Sequence, residues 1–293
     1  MSQFIQQSVA GLGIGMIYGA LALALVFAHR STGVVNFAQG NMGLFGAYFC
    51  WSLYYVGVPI WLAILISICG SFVLGAILYG LAIWPLRSGP PDAVIPAAIG
   101  LFLFLMGAAG YLWGYLIRPF PGVFGSGFVR LGSLSVDTNS LGTIAVTAVM
   151  LVGLFVMFEK TRFGLALRAV GQEPALSKYV GIRVSRMLLI GWSIAAAIGG
   201  LAAVLATPVL YLQPAMMMSV LVFSLAAATL GGFDNPAVAV SAGVLLGVTQ
   251  NLAVAYIGFL GTELTVLIPF ALVLVVLVVR PGGLGVRRTN ARV

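Results

Sequence analysis

The chain has 293 residues, 61% of them hydrophobic and only 7% charged, with a formal net charge of +8 at pH 7 and a mean hydropathy of +1.14. Soluble domains carry roughly a quarter charged residues, so a chain this poor in charge cannot clothe a water-facing surface and lipid must be its main solvent. The basic balance does not point to nucleic acid, because the lysines and arginines gather in a few short loops, the positive-inside pattern of a polytopic membrane protein.

A spanning helix needs about 20 apolar residues. In chain order the candidate spans are roughly 5–28, 34–56, 60–84, 93–117, 141–158, 187–211, 215–231, 236–258 and 264–280. Several are short or interrupted, which gives eight to ten crossings and an all-α helix bundle with broken or re-entrant segments, in a single transmembrane domain over residues 1–293. The first stretch, MSQFIQQSVAGLG, has no positive n-region and no clear cleavage site, so it reads as a retained helix and not a signal peptide. Within it Gly11, Gly15 and Gly19 form a GxxxGxxxG stripe, and Gly110/Gly114 and Gly243/Gly247 repeat the spacing. In lipid such stripes let helix backbones approach closely, so tight packing with no further role is the reading they carry alone.

Between the first two spans lies TGVVNFAQG, with Asn36 and Gln39 beside glycines and Asn41 one step on. An unpartnered amide in hydrocarbon costs several kcal/mol. The flanking glycines and Thr32 therefore point to a break in the helix, whose freed backbone groups must be buried in protein or face a watery cavity. Gln250 and Asn251 form a second polar group in the 236–258 span; they are candidates for the translocation path or for helix-to-helix glue. Thr207 and Gln213 flank Pro208 and Pro214 at the end of another span. A faint internal symmetry relates the STG–Asn–QGNMGLFGAY run to SLAAATL–GGFDNP–AVAVSAGVLLG, a pattern transporters use near the substrate path.

Two loops remain, at about Arg118–Ser140 and Glu159–Arg186. The second holds Lys160, Arg162, Arg168, Lys178, Arg183 and Arg186 against Glu159 and Glu173, and the tail, residues 281–293, follows Arg280 with Arg287, Arg288 and Arg292. Both belong in the cytoplasm, and counting back places Arg30 and Arg87 on the same side and residues 118–140 outside. The second loop has internal order. RFGLALRAV reads as a short amphipathic helix, GQEP as a break with Pro174 placed to start a new helix, and ALSKYVGI as a second helix ending at Gly181. A helix–break–helix of mixed polarity suits docking into a groove on a soluble partner.

Catalytic chemistry has little to work with. His29, the lone histidine, sits beside Arg30 at a span end, where both anchor at the interface. Asp92, Asp137, Glu159, Glu173, Asp234 and Glu263 form no pair at helical spacing, and there is no HExxH, GxSxG or Walker lysine. Cys50 and Cys69 lie in apolar stretches without a Cys-x-x-Cys, so they read as buried small hydrophobes and not as a metal or redox site. The span interiors are almost free of charge, which argues against a proton-coupled pump and places the energy source elsewhere.

Three motifs resemble the permeases of branched-chain amino acid ABC importers, most closely the first of their two paired permease subunits. GLGIGMIYGALALALVFAHRSTGVVNFAQGNMGLFGAY is similar to the family's opening helix and its GVINFAHGE segment. LRAVGQEPALSKYVGI is similar to its RAxxxDPxxAxxxGI coupling loop, and ATLGGFDNPAVAVSAGVLLG with VLVVRPGGLGV is similar to its closing glycine-rich segments. The family often has His where Gln39 stands and an acid where Asn41 stands, so a titratable role at either does not carry over. Asp234 and Pro236 also depart from its glycine-serine turn. The resemblance implies the ABC importer permease fold in a multi-pass protein of the bacterial inner membrane, with its C-terminus cytoplasmic. It implies a pore subunit that is not an enzyme and binds no cofactor or metal. Two cytoplasmic ATP-binding subunits would use ATP and Mg, a second permease would complete the path, and a periplasmic or lipid-anchored protein would deliver solute. By match, Arg168, Gln172, Glu173, Pro174, Tyr179 and Gly181 fall in the ATPase-coupling loop. Branched-chain amino acids are the leading solutes, with urea, short amides and small carboxylates as alternatives. A passive channel or scaffold would not need the loop, and an intramembrane enzyme would need convergent ionisable groups.

Overall fold

The computed structural model describes residues 2–88, 94–125, 127–131, 134–233, 235–257, 264 and 267–279. Asp92, Asp234, Glu263, the RPGGLGV segment and the basic tail lie outside the described residues. Along the chain run α1 (Ser2–Thr32), α2 (Gln39–Tyr55), α3 (Ile60–Leu78) and α4 (Val94–Trp113). A hairpin of β1 (Phe128–Leu131) and β2 (Leu134–Asp137) precedes α5 (Thr138–Lys160), α6 (Arg162–Gln172), α7 (Pro174–Tyr179) and α8 (Val184–Leu210). The last three are α9 (Met216–Leu230), α10 (Pro236–Tyr256) and α11 (Leu267–Val279).

Each of the nine apolar stretches holds one helix. Six are long and apolar enough to cross a membrane: α1, α3 with the π and 3₁₀ turns that extend it to Leu86, α4, α5, α8 and α10. α9 and α11 are shorter apolar helices, and α2 has 17 residues. The antiparallel hairpin, with Phe128 opposite Asp137 and Leu131 opposite Leu134, is the one pair of strands among the described residues, within the loop read as external. Asp137 then caps α5 by accepting from the Ser140 amide at 3.1 Å.

At the centre is α1, buried without interruption from Ile17 to Ala28. A helix apolar all round can face lipid or protein, and over this stretch neighbouring helices cover α1 on every face. Its glycine stripe meets the stripe of α10 backbone to backbone. A Cβ on Gly15 would lie 2.6 Å from the Val244 carbonyl oxygen, one on Gly243 would lie 2.5 Å from the Gly19 nitrogen, and one on Gly247 would collide with the Gly15 backbone. A second seam joins α2 to α8, where a Cβ on Gly43 would lie 2.5 Å from the Gly199 oxygen. There Ser67 of α3 donates to the Gly46 carbonyl at 2.5 Å. Gly110 and Gly114 make no such seam. Gly114 (φ +78°) ends α4, and the Tyr115 ring folds back onto Gly110. A GxxxG spacing at a helix C-terminus looks the same in sequence as one in a packing face.

The internal symmetry is present in the fold, in a different register from the one read. α1 packs on α9 and α10, and α8 packs on α2 and α3. α2 and α9 each pack on the helix that follows, α4 lies against α2, α11 lies against α9, and α1 crosses α8. The C-terminal turn of α8 (Leu205, Pro208, Val209) lies beside Ala10, Gly13 and Ile14 of α1, so the two long helices are antiparallel. α1–α4 and α8–α11 are thus inverted counterparts. The break after α1 corresponds to residues 211–215 after α8. The GGFDNP turn corresponds instead to the turn at 56–59; each contains a positive-φ glycine, Gly57 and Gly232. Residues 118–140 and 159–186 lie at opposite ends of α1: Ser140 packs near Gly13 and Gly171 against the Arg30 carbonyl. Cys50 is buried as read, but Cys69 is exposed on the outer side of α3, where lipid accepts a small apolar thiol as readily as a core does.

The seam makes a direct prediction. Gly247→Val should destabilise the detergent-solubilised protein by about 1–3 kcal/mol through overpacking. Gly107→Ala and Gly153→Ala, where an added Cβ meets nothing within 4 Å, should leave the melting profile unchanged. Thermal unfolding followed by size-exclusion chromatography distinguishes the two outcomes.

Candidate functional site

The first break begins where α1 ends. Gly33, at φ +74°, turns the chain by donating to the His29 carbonyl at 2.7 Å, a left-handed cap that favours glycine. The strand of backbone from Gly33 to Ala38 then leads inward. Asn36 accepts from the Ala38 amide at 3.1 Å and donates to Gln39 Oε1 at 3.1 Å and to Met42 Sδ at 3.4 Å. Gln39 Nε2 donates to the Ala195 carbonyl of α8 at 2.7 Å, and Asn41 Nδ2 to the Phe102 carbonyl of α4 at 2.7 Å. Ala195 is eleven residues into the 27-residue α8, about 16 Å along it. α2 therefore starts near mid-depth. The three amides are 1%, 0% and 2% exposed, and all three amide groups are engaged within the bundle.

Gln250 and Asn251 are engaged as well. The Tyr18 hydroxyl donates to Gln250 Oε1 at 2.8 Å, and Asn251 Nδ2 donates to the Gln7 carbonyl at 2.6 Å and to Gln7 Oε1 at 2.8 Å. Both residues tie α10 to α1 along the glycine seam.

The second break was only partly legible, through Thr207, Pro208, Gln213 and Pro214. α8 ends with Tyr211 at φ +59°, a strained conformation for a bulky residue. Leu212 bridges to Arg118 of the loop after α4, and α9 starts at Met216. The start of α9 touches the start of α2: a Cβ on Gly40 would lie 3.2 Å from the Met217 carbonyl oxygen. Both short helices thus begin deep in the bundle, side by side. A cavity of about 460 Å³ lies here, lined by Leu210, Gln213, Ala215, Met216, Met218, Ser219 and Val222.

The loop at the other end has the helix–break–helix form read from sequence. Thr161 caps α6 by accepting from the Gly164 amide at 3.2 Å and donates to the Met157 carbonyl. Leu167 and Val170 turn inward, while Gly171 abuts the carbonyl of Arg30 in the last turns of α1. Arg168 pairs with Glu159 at 3.0 Å, a partly exposed contact worth less than about 1 kcal/mol. Glu173 leaves the helical region (φ −142°) and Pro174 opens α7 at its first position. Gly181 (φ +82°) closes it: its amide donates to the Lys178 carbonyl and the Ile182 amide to the Ser177 carbonyl, each at 3.0 Å, a Schellman end. This capped turn presents Leu176, Tyr179 and Val180 to solvent, with Tyr179 88% exposed. Gln172, Glu173 and Pro174 are exposed beside them. A cavity of about 320 Å³ between the end of α1 and α6 is lined by His29, Arg30, Gly33, Arg168, Gly171 and Gln172. Among the described residues no three His, Cys, Asp or Glu converge to hold a metal ion.

Residues 8–277 match the family described as branched-chain amino acid transport system / permease component. The chain is 28% identical over 247 residues to a probable branched-chain amino acid transport permease protein, LivH, of Methanocaldococcus jannaschii, covering 81% of this chain and 77% of that one. It is 27% identical over 296 residues to the high-affinity branched-chain amino acid transport system permease protein LivH of Escherichia coli, covering 96% and 95%. Among solved structures it is similar to PsaBC from Streptococcus pneumoniae, determined in complex with Fab, with a TM-score of 0.50, 14% identity and coverage of 92% and 89%.

Replacing Asn36 with alanine leaves a buried carboxamide oxygen of Gln39 and the Ala38 amide unpaired, at about 1–3 kcal/mol. Asn36→Ala and Gln39→Ala should couple in a double-mutant cycle of thermal stability, the pair losing less than the sum of the singles. Strict additivity would show that the two amides act independently.

Proposed function

The chain belongs to the family of permease components of branched-chain amino acid transport systems, and from that premise we propose that it builds, with a second permease, the membrane path of an ATP-driven importer of branched-chain or closely related amino acids. The family is one of transport subunits and not of enzymes. In this reading ATP is hydrolysed by two cytoplasmic subunits, and a solute-binding protein delivers cargo from the opposite side.

The observation that carries the reading is the α6–α7 loop. Exposed Leu176, Tyr179 and Val180 on a capped, Pro-started turn form an apolar knob of fixed shape at the basic end of the bundle. A knob of that kind suits a groove on a soluble partner. Behind it, the buried face of α6 and the contact of Gly171 with the Arg30 carbonyl connect the loop to the last turns of α1. Three residues further on comes Gly33 and the first break. A push on α6 from closing ATPases would therefore reach α1 and the helices packed on it as one body. Asn36, Gln39 and Asn41 act here as staples that hold the break closed during that motion.

Affinity purification of the tagged protein from its native membrane should bring down a second permease and ATP-binding subunits; recovery of the chain alone would overturn the assembly. In proteoliposomes of that complex, Glu173→Ala with Tyr179→Ala should insert normally, since neither side chain is buried or hydrogen-bonded in the described structure, yet separate ATP hydrolysis from leucine uptake. Wild-type uptake per ATP in that double variant would remove the docking role.

A further inference from the structure

We propose that the second break, and not the amide-rich first one, is the solute-contacting surface of this subunit, with Gln213, Met218 and Ser219 as its contact residues. This rests on the transport reading above and names the part of the chain that serves it.

The two breaks are inverted counterparts, and they differ in what their polar groups do. At the first, every amide is buried and bonded within the bundle. At the second, the Gln213 side chain makes no hydrogen bond to another described residue and is only half-buried. Tyr211, Ala215, Met218 and Ser219 are exposed beside it, with Met218 54% exposed. This stretch descends from the bridge at Leu212 and Arg118 to the contact of Met217 with Gly40, at the depth where α2 begins. Irregular backbone at such depth is tolerated only against protein or a water-filled cavity. A path between two permeases satisfies that requirement, and bulk lipid does not.

The chemistry of the surface fits one class of solute. Met216, Met218, Leu210 and Val222 line the cavity of about 460 Å³ together with Gln213 and Ser219. Methionine is unbranched and polarizable, so it adapts to apolar groups of different branching without holding any of them tightly. The unpartnered amide of Gln213 offers donors and an acceptor to a carboxylate or an ammonium group, and the Ser219 hydroxyl, which donates to the Met216 carbonyl at 3.4 Å, adds acceptor lone pairs. A small zwitterion with a branched apolar side chain uses both halves. Weak, adaptable contacts are what a transit surface needs, since solute must leave as readily as it enters.

The test uses the assembled complex in proteoliposomes, with Cys69→Ser removing the exposed native thiol. Met218→Cys, and separately Ser219→Cys, should react with a membrane-impermeant methanethiosulfonate, lose leucine uptake on reaction, and react more slowly during turnover with ATP and leucine. Val149→Cys on the outer face of α5 should stay unreactive. Gln213→Ala should lower leucine uptake per ATP roughly tenfold, the scale of losing one ordinary hydrogen bond. If both introduced thiols are as inert as the one at 149, or react without any effect of turnover, the proposal fails while the importer reading stands. If the unmodified complex takes up no leucine with ATP, the importer reading itself fails.

Discussion

Everything in this bundle is arranged around one approach, that of α1 to α10 along facing glycines. Helix association in a membrane gains little from excluding water, so dispersion contacts between close backbones must supply it. Gly11, Gly15 and Gly19 against Gly243 and Gly247 bring the two axes nearer than any side chain would allow. The polar ties of Tyr18 to Gln250 and of Gln7 to Asn251 fix the register of that approach. With α1 so placed, α8 and α9 can cover its other faces, and the inverted half repeats the approach at α3 and α8, where a Cβ on Gly75 would lie 2.9 Å from the Trp192 carbonyl oxygen.

The two short helices show how a single constraint is met in two ways. Backbone leaving a helix inside a membrane must find partners. After α1 the chain supplies its own, with Asn36 acting as a local turn-former and Gln39 and Asn41 reaching to α8 and α4. After α8 the backbone is met by local turns and by the Arg118 amide, which donates to the Leu212 carbonyl at 2.9 Å, while the Gln213 side chain has no hydrogen-bond partner among the described residues. The polar side chains are therefore satisfied within the bundle at one break, while at the other the amide of Gln213 is not.

Much of this was legible in the residues. The nine apolar stretches fell where helices lie because burial in lipid needs length and apolarity more than pattern. The α6–α7 loop was legible down to its break, since Thr161, Pro174 and Gly181 each have one strong backbone preference. TGVVNFAQG announced a break through its amides and glycines. The direction in which those amides point was not legible, because an amide bonding to Ala195, 156 residues away, looks in sequence like one awaiting a ligand. The second break was obscured for the opposite reason: Tyr211, Leu212 and the three methionines continue an apolar run, and only Gln213 and two prolines interrupt it. Pairing the two breaks required the contacts of α8 with α2 and α3, which local composition does not encode.

The α1–α10 seam also bears on how the protein is made. The partners that cover Gly11, Gly15 and Gly19, and the Gln250 that meets Tyr18 across 232 residues of chain, are synthesised long after α1 has entered the bilayer. During that interval the most buried helix of the finished molecule faces lipid or the insertion machinery, with its glycine groove empty and a tyrosine hydroxyl in hydrocarbon. The seam therefore closes late: the helix that organises the final packing is made well before the partner that encloses it, and its glycine groove is filled only once α10 is in place.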